Sequence, residues 1–159
     1  MTTHEPMPAD RLPPDLQDMP GYLIRRAKQK TTNCFEPITA GHKLTPQQYA
    51  ILEATLLHPD IDQNELGERV ALDGSTLGDV VVRLEQRGLL QRRVDGRHRR
   101  LTLSAQGQAL LEQVQPAVER AQQQILHPLT AREREQLLRL LSKLVGVNNR
   151  WYSRGTRRR

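Results

Sequence analysis

DGSTLGDVVVRLEQRGLLQRRVDGRHRRLTLS, residues 73–104, reads as a helix, a glycine stop and an arginine-laden β-hairpin. Asp73 or Ser75 supplies a cap for the helix start, since a short polar side chain there accepts from the unpaired backbone N–H groups of the first turn. Leu77, Val80, Val81 and Leu84 recur at helical spacing, and Gly88 ends the helix. Leu89 to Val94 suits a strand, Asp95-Gly96 is a two-residue hairpin signal, and Arg100-Leu101-Thr102-Leu103 alternates on the way back. Arg83, Arg87, Arg92, Arg93, Arg97, Arg99 and Arg100 all fall within eighteen residues. A hairpin tip carrying that much charge is not core; it is a solvated edge or a phosphate grip.

The flanking sequence narrows the choice. Thr45-Pro46-Gln47-Gln48 starts a helix, with Thr45 as cap, Pro46 at the first helical position and Gln48 completing a capping box. Tyr49, Leu52 and Leu56 line one face of it, and His58-Pro59 ends it. Asp62-Gln63-Asn64-Glu65 repeats the device and opens a short helix carrying Leu66 and Val70, and Ala71-Leu72-Asp73 is a tight turn. Two short helices joined by about three residues, the second leading to a hairpin, make a winged helix-turn-helix. Upstream, Pro20-Gly21 begins a helical pattern through Leu23, Ile24, Ala27, Thr31, Phe35 and Ile38; Pro37 is expected to end or kink it near Phe35–Glu36, and Gly41 to close it. Downstream, Ser104 caps a long helix with the stripe Leu110, Leu111, Val114, Val118, Ala121, Ile125, Leu126, kinked by Pro116 about a third of the way along and broken by Pro128. Thr130-Ala131-Arg132-Glu133 is a further capping box, opening a leucine-rich helix. These last two helices carry more leucine than a small winged domain covers, so packing against the first helix and a second copy of the chain is expected.

Composition agrees. A net charge of +6 and a sequence pI of about 10.1 favour an anionic partner. Aromatic residues make up only 3%, too few for the stacking platforms of a single-strand binder. One cysteine excludes an internal disulfide and a cysteine-based zinc site. There is no apolar run long enough for a membrane span and no signal-peptide pattern, so no membrane partner and a cytoplasmic, nucleoid-associated location are expected. The fold class expected is mainly α with a small β-wing. Residues 1–19 read as a flexible arm and 148–159, with five arginines, as a basic tail. Between them, residues 44–103 form the winged helix-turn-helix, and 20–43 with 104–147 the dimerisation helices.

Asp95-Gly96-Arg97-His98-Arg99-Arg100-Leu101-Thr102-Leu103-Ser104, followed by Gly107, resembles the wing pattern of the MarR family of bacterial transcription regulators: D-x-R, three residues, L-x-L-T/S, then glycine. Leu84-Glu85-Gln86-Arg87-Gly88-Leu89 is similar to the end of that family's recognition helix, and the likeness spans residues 20–147. It implies a homodimer with interlocking terminal helices, set on a pseudo-palindromic DNA duplex; many members are repressors released by small aromatic acids or phenols. Two departures stand out. The hairpin is about three residues shorter than in many members, and Gly78 and Asp79 stand where relatives often carry a hydroxyl and a basic residue.

The winged reading assigns roles. The helix from Ser75 enters the major groove by its first turns, with Ser75 and Thr76 reaching phosphates or base edges. Asp79 repels phosphate but accepts from a cytosine N4–H, and Arg83 meets backbone or guanine. Arg97 at the tip is the candidate for the minor groove, where narrow A·T-rich sequence concentrates negative potential, and Asp95 has the reach to orient a neighbouring guanidinium. Arg92, Arg93, Arg99 and Arg100 alternate along the strands, so about half face the DNA backbone, Arg93 and Arg99 being the candidates. Paired recognition helices are expected about 34 Å apart, one duplex turn.

For an effector, Tyr22, Arg25 and Arg26 cluster at i, i+3 and i+4, and a guanidinium there can clasp a carboxylate with Tyr22 or Tyr49 giving ring contact. The PGYLIRRA opening resembles the aromatic-acid branch of the family, which places an arginine on this helix. Cys34 is expected to be a buried structural thiol, since the peroxide-sensing branch carries its cysteine far earlier relative to the second helix. His4, His42, His58, His98 and His127 are scattered without ligand spacing, so no metal and no cofactor are expected. No nucleophile–base set or phosphate-cradling loop is present, so no enzyme is expected. The sequence as a whole points to a sequence-specific dimeric regulator, a repressor released by a small aromatic acid or phenol. The alternative is an architectural or constitutive DNA-binding protein without effector; a helical module with a basic hairpin for acidic partners is a third.

Overall fold

The computed structural model describes residues 15–147. Most of the expected N-terminal arm and all of the basic tail lie outside the described residues. After a short 3-10 turn at Leu16–Asp18, the chain forms α1 (Pro20–His42), α2 (Pro46–Leu57), β1 (Ile61–Asp62), α3 (Gln63–Val70), α4 (Gly74–Gln86), β2 (Leu90–Asp95), β3 (His98–Leu103), α5 (Ala105–Leu126) and α6 (Ala131–Val145). The fold is mainly α with a small antiparallel sheet, as expected.

Local chemistry sets the helix starts. Thr45 and Gln48 form a reciprocal capping box on α2, and Thr130 and Glu133 form one on α6. Asp62 accepts from the Asn64 N–H, and Ser104 from the Gly107 N–H. Between Asp73 and Ser75 the structure chooses Asp73: its carboxylate accepts from the Thr76 N–H at 2.9 Å and the Thr76 hydroxyl at 2.7 Å. These bonds, first the Thr76 N–H and then its hydroxyl, hold the Asp73 carboxyl below the usual carboxylate range.

Three expectations need correction. α1 runs through Pro37 and Gly41 and ends only at His42, with Lys43 in the left-handed region. Phe35 and Ile38 are buried on either side of the proline. Burying two such side chains contributes about 3–6 kcal/mol, which offsets the roughly 3 kcal/mol cost of an interior proline. α5 likewise is unbroken at Pro116, the twelfth of its 22 residues and so near its middle rather than a third of the way along. Leu56, expected on the buried face of α2, is 42% exposed.

The sheet has strand order β1-β3-β2, all antiparallel. β1 is only two residues long, pairing Ile61 with Leu101 and Asp62 with Arg100. It fastens the wing to the start of α3. The core gathers Leu44, Ile51, Leu52, Leu66, Leu77, Val81, Leu84, Leu101 and Val114, all essentially inaccessible. α4 contributes Leu77, Val80, Val81 and Leu84 to it, the spacing read from the sequence, and so turns its opposite face outward. α6 buries no residue fully, and Leu140, Leu141, Leu144 and Val145 lie exposed on it, as do Leu23 and Ile24 on α1.

Candidate nucleic-acid interface

The outward face of α4 carries Ser75, Asp79, Val82, Arg83 and Gln86, all exposed, with Gly78 half-buried between Ser75 and Val82. Ser75 and Thr76 differ from the sequence expectation of equivalent roles. The Thr76 hydroxyl is spent on Asp73 and the residue is half-buried, whereas Ser75 is exposed. Nothing in the sequence pointed to Val82, because an apolar residue in a helix is ordinarily assigned to the core; only the register against Val80, Val81 and Leu84 reveals it as outward.

The hairpin turn lies one residue later than the Asp95-Gly96 pair implied. Asp95 is the last residue of β2 and pairs with His98, leaving Gly96 and Arg97 as the two central residues. Gly96 takes φ of 60°, so the left-handed position falls on the glycine and Arg97 occupies the second place of the turn. This puts Arg97 at the tip of the wing, exposed.

The seven arginines divide by partner. Arg87 donates to the Lys43 carbonyl at 2.7 Å, tying the end of α4 to the α1–α2 junction. Arg92 pairs with Glu85 at 2.8 Å, both partly shielded. Arg100 donates to the Asp60 carbonyl at 3.3 Å. Arg93 reaches the Asp60 carboxylate at 3.2 Å and the Asp95 carboxylate at 3.9 Å. Asp60 therefore holds Arg93 across the wing base, with Asp95 only at the edge of ion-pair range. Among the described residues, no carboxylate forms a salt bridge with Arg83, Arg97 or Arg99. Arg97 and Arg99 overhang a small polar recess with Asp62, Gln63 and Asn64 at the start of α3. His98 approaches Asp62 at 3.0 Å. The Asn64 N–H foremost, and His98 after it, hold the Asp62 carboxyl low. The arrangement presents free guanidinium groups on two arms, a helix face and a wing tip, from a base braced by ion pairs.

The four residues read as an effector site do not line one pocket. Arg26 lines an open cleft of about 570 Å³ between α1 and α5, with Gln29, Lys30, Asn33, Cys34 and Gln124. Arg25 instead lies over the Tyr22 ring, 5.4 Å from its centroid. Tyr49 is buried in the core, 6.3 Å from the Phe35 ring, and burial foremost, then Glu53, pushes its phenol up so that it stays neutral. Cys34 is half-buried at the cleft wall rather than sealed in the core. Tyr22, Arg25 and Arg26 share one side of α1, as their i, i+3, i+4 spacing requires, but Arg25 is taken up by the Tyr22 ring and of the three only Arg26 lines the cleft. No cluster of three potential metal ligands occurs among the described residues. Among the described residues no helix is long and apolar enough to cross a membrane.

Known proteins share this arrangement. The MarR family profile matches residues 42–101, the stretch from α2 through the wing. The HTH-type transcriptional repressor NicR of Pseudomonas putida is 33% identical over 147 residues, 91% of this chain and 93% of that protein. The PcaV transcriptional regulator of Streptomyces coelicolor, solved in complex with its natural ligand, superposes with a TM-score of 0.78 at 34% identity, covering 86% of this chain and 98% of that one. BpsR of Bordetella bronchiseptica, whose DNA binding is regulated by 6-hydroxynicotinic acid, superposes with a TM-score of 0.75 at 30% identity over 79% and 97% of the two chains. A winged helix-turn-helix between long flanking helices, alike in sequence to such a regulator over nine-tenths of its length, identifies this chain as a member of the MarR family.

Proposed function

We propose that this protein is a homodimeric, sequence-specific repressor that binds a pseudo-palindromic DNA duplex and is released by a small aromatic carboxylate or phenol. It is a regulator, not an enzyme, and works on the bacterial chromosome in the cytoplasm. The observation that carries the reading is the division of the arginines. Four brace the module internally, while Arg83, Arg97 and Arg99 stand outward on the α4 face and the wing, without a carboxylate partner among the described residues. Unpaired guanidinium groups gathered on one recognition element are what phosphate and groove contacts require. The repressor relative and the ligand-regulated neighbours supply the direction of control.

Residues 44–103 form the DNA-reading unit in this proposal, and 20–43 with 104–147 the pairing unit. The exposed leucines of α6 with Leu23 and Ile24 of α1 form more apolar surface than a monomer leaves in water, and a second copy covers it. The effector site is the α1–α5 cleft. Its size suits a small organic molecule, and Arg26 with Lys30 offers two cations to one carboxylate. Tyr22, Arg25 and Tyr49 stand outside it.

Arg97→Ala is expected to weaken binding to a selected operator by about 1–3 kcal/mol with the melting temperature unchanged; an unchanged gel-shift midpoint contradicts the wing assignment. Arg26→Ala is expected to raise the effector concentration for half-release about tenfold, or about 1.4 kcal/mol, while leaving effector-free DNA affinity intact. An undiminished response removes Arg26 from the pocket.

A further inference from the structure

Two features of α4 have no explanation among the described residues. Val82 is 38% exposed, an apolar β-branched side chain on the face that otherwise carries Ser75, Asp79 and Arg83. Gly78, one helical turn before it, is a glycine in mid-helix, yet a Cβ built there meets no atom within 4 Å. Glycine in a helix interior is unfavourable relative to alanine, and here no close packing among the described residues calls for it. Together Gly78 and Val82 make a shallow notch with an apolar rim on the outward surface, since residues four apart are neighbours on a helix. Asp79 and Arg83, the next residues along, flank it on one side.

Resting on the repressor reading above, we propose that Val82 and the notch at Gly78 form the seat for a thymine 5-methyl group in the major groove, making Val82 a specificity-determining residue for the operator. The major groove displays one apolar group only, the thymine methyl, and small apolar side chains are its partners. The charge around Val82 commits the occupant: an apolar protein segment would have to bury Asp79 and Arg83 beside it, whereas a base edge pairs an apolar methyl with polar neighbours on the same surface. Asp79 lies three residues before Val82, and such pairs are about 5–6 Å apart at Cβ. That span covers one to two stacked base pairs. An acceptor for a cytosine N4–H and a seat for a thymine methyl therefore sit side by side. The thymine falls within two base pairs of the cytosine in each half-site.

The test uses the full-length protein and a duplex it selects from a random library. Each thymine of a half-site is replaced in turn by deoxyuridine, which removes only the methyl group. One position is expected to lose about fourfold in affinity per half-site, the worth of one buried methyl-sized group. Val82→Ala, which raises helix propensity and so keeps α4 formed, is expected to bind the thymine and deoxyuridine duplexes equally. Gly78→Ala is expected to melt at higher temperature yet bind the thymine duplex more weakly. A wild-type protein that binds its duplex but is indifferent to every deoxyuridine substitution overturns the proposal alone, as does a Val82→Ala variant that keeps the wild-type discrimination. A protein that selects no duplex overturns the repressor reading and this one with it.

Discussion

Replacing Gly107 by alanine is expected to cost about 3 kcal/mol of folding stability and to lower the melting temperature by about 10 °C. A Cβ at this position would press into the Leu89 backbone carbonyl and stand 2.8 Å from Leu103 Cδ1. The carbonyl has no room to retreat, because it accepts from the Ser104 N–H at 3.1 Å. Ser104 is held in turn: its hydroxyl donates to the Gly88 carbonyl at 2.6 Å and accepts from the Gly107 N–H at 3.0 Å. This knot joins the end of α4, the base of the hairpin and the first turn of α5. Spreading it by even one methyl group displaces the wing relative to the recognition helix, so operator binding is expected to fall along with stability. A Gly107→Ala variant that melts within a degree or two of wild type would show that the junction yields, and that the wing is not fixed by it.

The second large effect is with salt. Each protomer offers Arg83, Arg97 and Arg99 without a carboxylate partner among the described residues, so a dimer carries six such groups. Six neutralised phosphates give a loss of about three decades in affinity between about 50 and 200 mM salt. The full complement of seven arginines per protomer would more than double the slope. It does not apply, because Arg87, Arg92 and Arg100 are committed to Lys43, Glu85 and Asp60, and Arg93 is shared between Asp60 and Asp95. A fluorescence titration across that range reads the slope directly. A nearly salt-independent affinity would remove the arginines from the phosphate backbone.

These two predictions separate what local sequence could disclose from what it could not. The helix starts were legible because a cap is a matter of three or four adjacent residues: Thr45 with Gln48, Thr130 with Glu133; at α3 Asp62 caps as expected, but it accepts from the Asn64 N–H and Glu65 pairs with Arg69 instead of completing a box. The buried stripe of α4 was legible because its period is that of the helix itself. Pro37 misled because a local rule, the missing N–H, was overruled by the burial of Phe35 and Ile38 on both sides of it. β1 was invisible because two residues carry no alternation; the strand exists only through its pairing with β3. The roles of the arginines were hidden for the same reason, since the partners that set them apart lie far off in sequence. Arg87 bonds 44 residues away and Arg93 33 residues away. The effector residues separated because Arg25 stacks on Tyr22 outside the cleft, only Arg26 of that cluster lines it, and Tyr49 belongs to the core. The side chains missing from the sequence reading, Val82, Lys30 and Gln124, became visible only once the outward face of α4 and the α1–α5 cleft existed.

Controlled release from DNA is the property that defines this protein as a ligand-responsive repressor. A duplex selected by the wild-type protein, bound and then titrated with a panel of hydroxylated benzoates, pyridine carboxylates, phenols and aliphatic acids of equal charge, measures it most directly. At least one aromatic member is expected to lift the protein from the duplex in a saturable manner, and the aliphatic acids are expected to leave it in place. A complex that persists through the whole aromatic panel would contradict the account and make this protein a constitutive DNA-binding member of its family.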